Sequence, residues 1–207
     1  MRLVTDIKDI EMLAAENEDH NWRFRCFVKG CDLKIEELDA IVHKLNDAVT
    51  AKIDCQSCGN CCRVMHPILK KKDIQRLAVR LSLPASEFEK EYLVKDEVED
   101  GYTFRATPCP FLSENSCAVY SARPEDCRSF PHLHKNEFVF RIGGVFSNCS
   151  VCPIAYNVYE LLKDELHKLK IESFFEEYEY KKPNHRLLRP TRKAITLTEP
   201  CKACGKC

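Results

Sequence analysis

The chain has 207 residues, enough for one domain with appendages or two small domains, and 44% hydrophobic residues are enough to bury a core. Its 32 Lys and Arg balance 32 Asp and Glu, which excludes a general basic field for nucleic acid or an anionic membrane surface. Fourteen cysteines, without an N-terminal apolar run of signal-peptide length or a stretch able to span a bilayer, point to a reduced, cytoplasmic protein whose clustered thiols serve metal or redox chemistry instead of disulfides.

In chain order, Ile7, Ile10, Leu13 and Ala14 predict a short helix over residues 6–16. Trp22, Phe24 and Phe27 follow among basic residues; in a neutral chain they are expected to dock into the core from a strand or helix, in preference to stacking on bases. Leu38, Ile41, Val42, Leu45 and Val49 recur at three and four residues and predict a helix over 32–54, with His43 on its surface. Cys26 and Cys31 match no usual ligand spacing and are expected to be structural thiols.

Residues 55–62 then hold four thiols in eight positions, Cys55, Cys58, Cys61 and Cys62, with Gly59 among them. Crowded thiolates repel one another, and a shared cation is the usual way a protein holds several together. The spacing C-x2-C lets both sulfurs reach one ion or one cluster edge, and glycine can adopt the backbone angles of a tight corner. The plain alternative, small buried hydrophobes, does not require this spacing. Because neighbouring side chains diverge, Cys61 and Cys62 are expected to serve different metal atoms.

Further along, Ile74, Leu77, Ala78 and Leu81 predict a helix over 72–81 with Asp73 at its positive end, and a second helix is expected over 85–93 after Pro84. Residues 102–106 and 138–142 have strand composition, the second ended by Gly143 and Gly144, and could form a small antiparallel sheet. Cys109 sits between two prolines on a stiff segment, and Arg123-Pro124 is expected to start a helical turn that presents Cys127. Arg128, beside it, is placed to lower thiol pKa values or to meet an anionic ligand, whereas His132 and His134 lack a zinc-pair spacing and are expected at the surface or behind the ligands. Cys117 and the pair Cys149 and Cys152 complete the central set, and Pro153 opens a helix with Ile154, Val158, Leu161, Leu162 and Leu169 on one stripe. The basic run Arg186, Arg189, Arg192 and Lys193 is expected to be solvated linker. Finally Cys201, Cys204, Gly205 and Cys207 repeat the pattern of Cys55, Cys58, Gly59 and Cys61. Three such thiols can hold three irons of a 4Fe-4S cluster and leave the fourth open; the alternative is a tail that delivers metal or exchanges redox equivalents.

The run Cys55-x2-Cys58-Gly59-x-Cys61-Cys62, followed by Cys109-Pro110-Phe111-Leu112, Cys117-Ala118-Val119-Tyr120 and Arg123-Pro124-x2-Cys127-Arg128-x-Phe130-Pro131, resembles the YkgJ-like CxxCxxCC cysteine-cluster family over residues 55–131. That resemblance implies a zinc- or iron-chelating protein, with some members labelled iron-sulfur oxidoreductases or ferredoxin-like. It also implies Cys55, Cys58, Cys61, Cys62, Cys109, Cys117 and Cys127 as ligands, with Cys149 and Cys152 as an extension. The flagellin lysine N-methylases are a distantly similar branch, but no glycine-rich nucleotide loop is evident in a chain with six glycines.

Seven to nine thiols exceed the four of one closed zinc site, which favours an iron-sulfur cluster, 4Fe-4S in type, over zinc. The expected fold is α+β, mainly α-helical, with an irregular cysteine-rich metal-binding centre and a small antiparallel sheet. Residues 1–54 would form an N-terminal helical segment, 55–172 the metal-binding domain, and 173–207 a charged linker and cysteine-rich tail. The expected function is iron-sulfur redox or electron transfer with an unidentified redox or protein partner, with no membrane or nucleic acid. The alternatives are a structural or metal-handling zinc protein, or a cluster-dependent methylase-like enzyme.

Overall fold

The computed structural model describes residues 3–169. The elements in order are α1 (Ile7–Glu16), α2 (Glu18–Gly30), α3 (Ile35–Thr50), two very short helices α4 (Cys55–Cys58) and α5 (Asn60–Val64), α6 (Lys71–Leu81) and α7 (Ala85–Tyr92). The strands β1 (Leu93–Lys95), β2 (Tyr102–Phe104), β3 (Leu112–Ser113) and β4 (Ser116–Cys117) follow, and then α8 (Glu125–Ser129), α9 (Phe138–Asn148) and α10 (Pro153–Lys168). The expected fold class holds: helices dominate, and the strands make two small antiparallel pairs.

Two apolar clusters form the core. In the first, α1, α2, α3, α9 and α10 pack as a bundle. Asp6 starts α1 by accepting hydrogen bonds from the Lys8 and Asp9 amides at 2.9 and 3.2 Å, satisfying two of the donors that every helix start leaves unpaired. Ile10 and Leu13 on α1, Leu38, Val42 and Val49 on α3, and Ile154, Val158 and Leu162 on α10 bury the faces that their periodicity predicts, and Tyr156 and Tyr159 on α10 are buried as well. Phe24 meets Tyr159 edge to face at 5.3 Å. Of the three aromatics on α2, Phe24 is buried, Phe27 packs partly, and Trp22 remains 41% exposed, edge-on to Phe146. The buried Lys163 ammonium is paired with Glu160 at 2.6 Å and also donates to Asn21, so its charge is compensated inside the bundle.

Residues 138–142, expected as a strand, are the first turns of α9 instead. Two buried-face contacts decide this. The Asp39 carboxylate, reaching across from α3, accepts from the amides of Glu137 and Phe138 at 2.7 and 2.9 Å and so caps the helix from another element. Phe138, Ile142 and Val145 then face the bundle at helical spacing, leaving Phe140 70% exposed where a strand reading would have paired it with Phe138. Gly143 and Gly144 lie inside this helix and do not end a strand. Leu169 also departs from expectation, since it follows the last turn of α10 and is 53% exposed.

The second cluster is smaller. Ile74 and Leu77 of α6, Phe88 of α7, Leu93, Phe104 and Phe111 pack with Leu69, and Phe111 lies 5.1 to 6.2 Å from the rings of Tyr92, Phe104 and Phe88. Strand β1 pairs with β2, Leu93 opposite Phe104, and Leu69 bridges to Tyr102. Strand β3 pairs with β4, Leu112 opposite Cys117. Buried Asp73, at the third position of α6, accepts from the Lys70 amide at 3.0 Å, from Arg76 at 2.6 Å and from the Glu125 amide at 3.0 Å. One carboxylate thus caps α6 and ties it to the start of α8. No helix among the described residues is long and apolar enough to cross a membrane.

Candidate metal centre

The cysteine segments meet at the seam between the two clusters. Asp54 accepts from the Gln56 amide at 2.9 Å and begins α4. Gly59 then turns the chain with φ +61°, and a Cβ there would stand 2.7 Å from the backbone oxygen of Asn115. Only glycine permits both the left-handed angle and that approach, so the corner between α4 and α5 seats directly on the turn between β3 and β4. Arg63 secures the same junction, donating to the Cys58 and Glu114 carbonyls at 3.2 and 2.7 Å and to the Asn115 side chain. The Cys109 amide donates to the Cys62 carbonyl at 2.8 Å, drawing the proline-flanked segment onto α5.

This assembly encloses a cavity of about 310 Å³ whose wall carries six thiols: Cys55, Cys61, Cys62, Cys109, Cys117 and Cys127. Phe104, Phe111 and Val119 contribute apolar wall from the second cluster, while Gly144, Ser147 and Asn148 close it from α9. Cys58 does not line this cavity. With Cys55, Cys61 and Cys152 it lines an adjoining hollow of about 30 Å³. Cys149 is in neither; it is buried in the bundle core and its Sγ donates to the Val145 carbonyl at 3.4 Å. Cys26 and Cys31 line neither space, and the Cys31 thiol donates to the Val28 carbonyl at 3.4 Å. Cys201, Cys204 and Cys207, like the basic run before them, lie outside the described residues.

Cys62 is the centre of the electrostatics. Its thiol is pushed down, first because the Cys61 thiol donates to it and then because the guanidinium groups of Arg63 and Arg123 lie near. Cys61, as the donor and partly buried, is pushed up. The two adjacent thiols are therefore in mutual hydrogen-bond reach, and both line the cavity. Burial raises the other thiols, Cys109 up to about 11, with Cys55, Cys117 and Cys127 moving in the same direction. Cys62 adds to that rise at each of these four, as expected when negative sulfurs crowd one cavity. Backbone amides oppose the rise: those of Phe111 and Leu112 point at Cys109, and that of Val119 points at Cys117. Amide-to-sulfur contacts of this kind favour the thiolate that metals bind.

The cation facing the thiols is Arg123, which stacks over Tyr120 at 3.8 Å and acts on Cys55, Cys62 and Cys117. Arg128 points elsewhere, donating to the Arg123 and Ser121 carbonyls at 3.0 and 2.5 Å and lining a different, shallower pocket. Arg128 follows Cys127 in the chain, but neighbours on a helix point in different directions, and it is Arg123, in the pair that starts the turn, that lines the cavity. His132 lines the cavity with φ +64°, its Nδ1 2.9 Å from Ser129 Oγ and its Nε2 3.4 Å from Asp126, and burial pushes its pKa down. His66, which sequence reasoning missed, also lines the cavity, with its Nε2 3.2 Å from Thr107 Oγ1. His134 does not; its Nε2 lies 3.4 Å from Ser129 Oγ.

As the side chains stand, no three His, Cys, Asp or Glu residues among those described are closed around a point that could hold an ion. The thiols form a lining, and rotation of cysteine side chains between staggered rotamers would be needed to converge them. The donor chemistry fits a thiophilic metal: six sulfurs, amides aimed at them, two guanidinium groups to offset their charge, and apolar walls.

Residues 54–142 match the CxxCxxCC family model, described as a putative zinc- or iron-chelating domain. That segment is similar to a CxxCxxCC domain. No curated protein and no solved structure matches the chain. The CxxCxxCC match takes in Cys55, Cys58, Cys61, Cys62, Cys109, Cys117 and Cys127 and stops before Cys149 and Cys152. It also covers Arg123, His66 and His132, which line the cavity with the six thiols, and Arg63, which acts on Cys62.

Proposed function

We propose that the CxxCxxCC domain holds an iron-sulfur cluster in the 310 Å³ cavity and that the protein works as an electron carrier or redox protein. The observation that carries this reading is a thiol-lined cavity of about 310 Å³, room for a polynuclear cluster where a single zinc ion would fill only a small part. When bound, such a cluster supplies one-electron redox chemistry. Cys62, Cys109, Cys117 and Cys127, with Cys55 and Cys61, line the cavity and would supply the sulfurs that hold it. Arg63 and Arg123 offset the negative charge of the thiolates, and the amides at Cys109 and Cys117 set the electron density on those sulfurs and hence the potential. The rings of Phe104 and Phe111 exclude water from one side. The partner is an electron donor or acceptor.

Anaerobic purification followed by iron, labile sulfide and zinc analysis tests the reading. Brown protein with iron and labile sulfide in equal amounts and a broad visible thiolate-to-iron band is expected. Colourless protein with zinc at full occupancy, and no labile sulfide after anaerobic reconstitution with iron and sulfide, would instead establish a zinc site.

A further inference from the structure

We propose that Cys55, Cys58, Cys61 and Cys152 form a second metal site beside the larger cavity, a mononuclear tetrathiolate for one thiophilic divalent ion of the zinc class. Cys152 lies beyond residue 142, where the matched domain ends, so this ligand comes from a part of the chain to which the family assigns nothing. The inference rests on the thiols binding metal, but not on the larger cavity holding iron and sulfide.

Size argues first. The hollow these four thiols share measures about 30 Å³, space for one ion and too little for a polynuclear cluster, against about 310 Å³ next door. Ligand number agrees with it, because four sulfurs complete a closed structural site. Assigning these four also leaves Cys62, Cys109, Cys117 and Cys127 facing only the larger cavity, so eight thiols divide into two fours, with Cys55 and Cys61 on the shared wall.

The surroundings of Cys152 are those of a ligand. It is the residue just before α10, and the amides of Ile154 and Ala155 point at its sulfur, where the positive end of a 16-residue helix also favours a thiolate. The segment is fixed to the cysteine motif from the other side: buried Asn60, between Cys58 and Cys61, donates to the Val151 carbonyl at 2.8 Å. Ile53, Gly59, Phe130, Val151, Pro153 and Ile154 complete the lining and offer no side chain to compete as ligand.

Cys149 supplies a control within the fold. It shares the C-x2-C pair with Cys152 and is also buried, yet it points into the bundle core and lines neither space. A role for Cys152 as mere core filling predicts that the two cysteines behave alike on substitution.

The full chain is prepared anaerobically, reconstituted with iron, sulfide and zinc, and analysed for all three per chain. Cys152→Ala and Cys58→Ala should each lose one zinc ion per chain and retain the iron, sulfide and visible band. Cys149→Ala should retain everything, and Cys127→Ala should lose the visible band while keeping the zinc. Cobalt(II) loaded in place of zinc should give the tetrahedral thiolate spectrum in Cys149→Ala but not in Cys152→Ala. Should Cys152→Ala fail to fold, half-buried Cys58 lies outside the core and carries the same test. Wild-type zinc content in Cys58→Ala, or equal zinc in Cys149→Ala and Cys152→Ala, would overturn the proposal. If the larger cavity binds zinc instead of a cluster, Cys152→Ala should still lose one ion and keep the other, so failure of the iron-sulfur reading is separately visible.

Discussion

The helical bundle and the smaller half from α6 to α8 are held together by different means. The bundle buries twenty core residues, mostly on helices of ten to sixteen residues, whereas the smaller half buries ten, four of them on α6 and α7 and the rest on strands of three residues and the segments between them. Two-stranded pairs and single helical turns are marginal in isolation. The thiol-lined cavity therefore falls where the apolar core is thin: Cys117 on β4 and Cys127 on α8 sit on such short pieces, Cys109 in the loop before β3, and their common cavity stands against α5 and α9.

The largest expected effect breaks the comparison directly. Metal removal should unfold the smaller half and spare the bundle, because a structural thiolate site is worth about 10 kcal/mol or more at neutral pH. Hydrogen exchange after anaerobic chelation should show protection lost in β1, β2 and α8 and retained in α3 and α10. Acid should act alike. The free thiols of Cys109, Cys117 and Cys127 are raised, so they hold their protons through neutral pH and a metal must displace them. Falling pH thus favours the metal-free state, and affinity rises with pH. Equal loss of protection in both halves would show that the bundle is not self-sufficient.

Phe24→Ala works on the other side of the comparison. Removing a fully buried ring that meets Tyr159 should cost about 3–5 kcal/mol, read by urea denaturation, and the loss should be the same with and without metal. Gly59→Ala comes next. The left-handed angle and the approach to the Asn115 backbone should together cost about 2–3 kcal/mol, localised to the smaller half, with lowered metal content at unchanged bundle protection.

Much of the bundle was legible because periodicity is local: Ile10 and Leu13, Leu38 and Val42, Val158 and Leu162 declare buried faces without outside information. The cysteine motif was legible for the same reason, its spacing being a statement about one short corner. What could not be read depends on distant partners. Strand composition at 138–142 is overruled by a carboxylate on α3, and the different fates of Cys149 and Cys152 follow from which side of the α9 to α10 junction each occupies. Choosing between Arg123 and Arg128 likewise needed the path of the chain around Tyr120, which no spacing encodes.

Asp39→Ala should have the smallest effect of the four and bears on whether the two halves communicate. It removes the cap on α9, exposing the Glu137 and Phe138 amides to no partner, and should cost about 1–2 kcal/mol. Asp39→Asn keeps an acceptor oxygen and should recover part of that loss. Because Gly144, Ser147 and Asn148 of α9 also wall the larger cavity, fraying of its first turn could in principle reach the metal. The first turn and these residues lie at opposite ends of the helix, however, and Ile142 and Val145 are anchored in the core between them. Hydrogen exchange should therefore rise at residues 138–141 alone, with metal content unchanged. Metal loss in Asp39→Ala would mean that α9 moves as one rigid piece and that the bundle, besides standing by itself, holds the cavity shut.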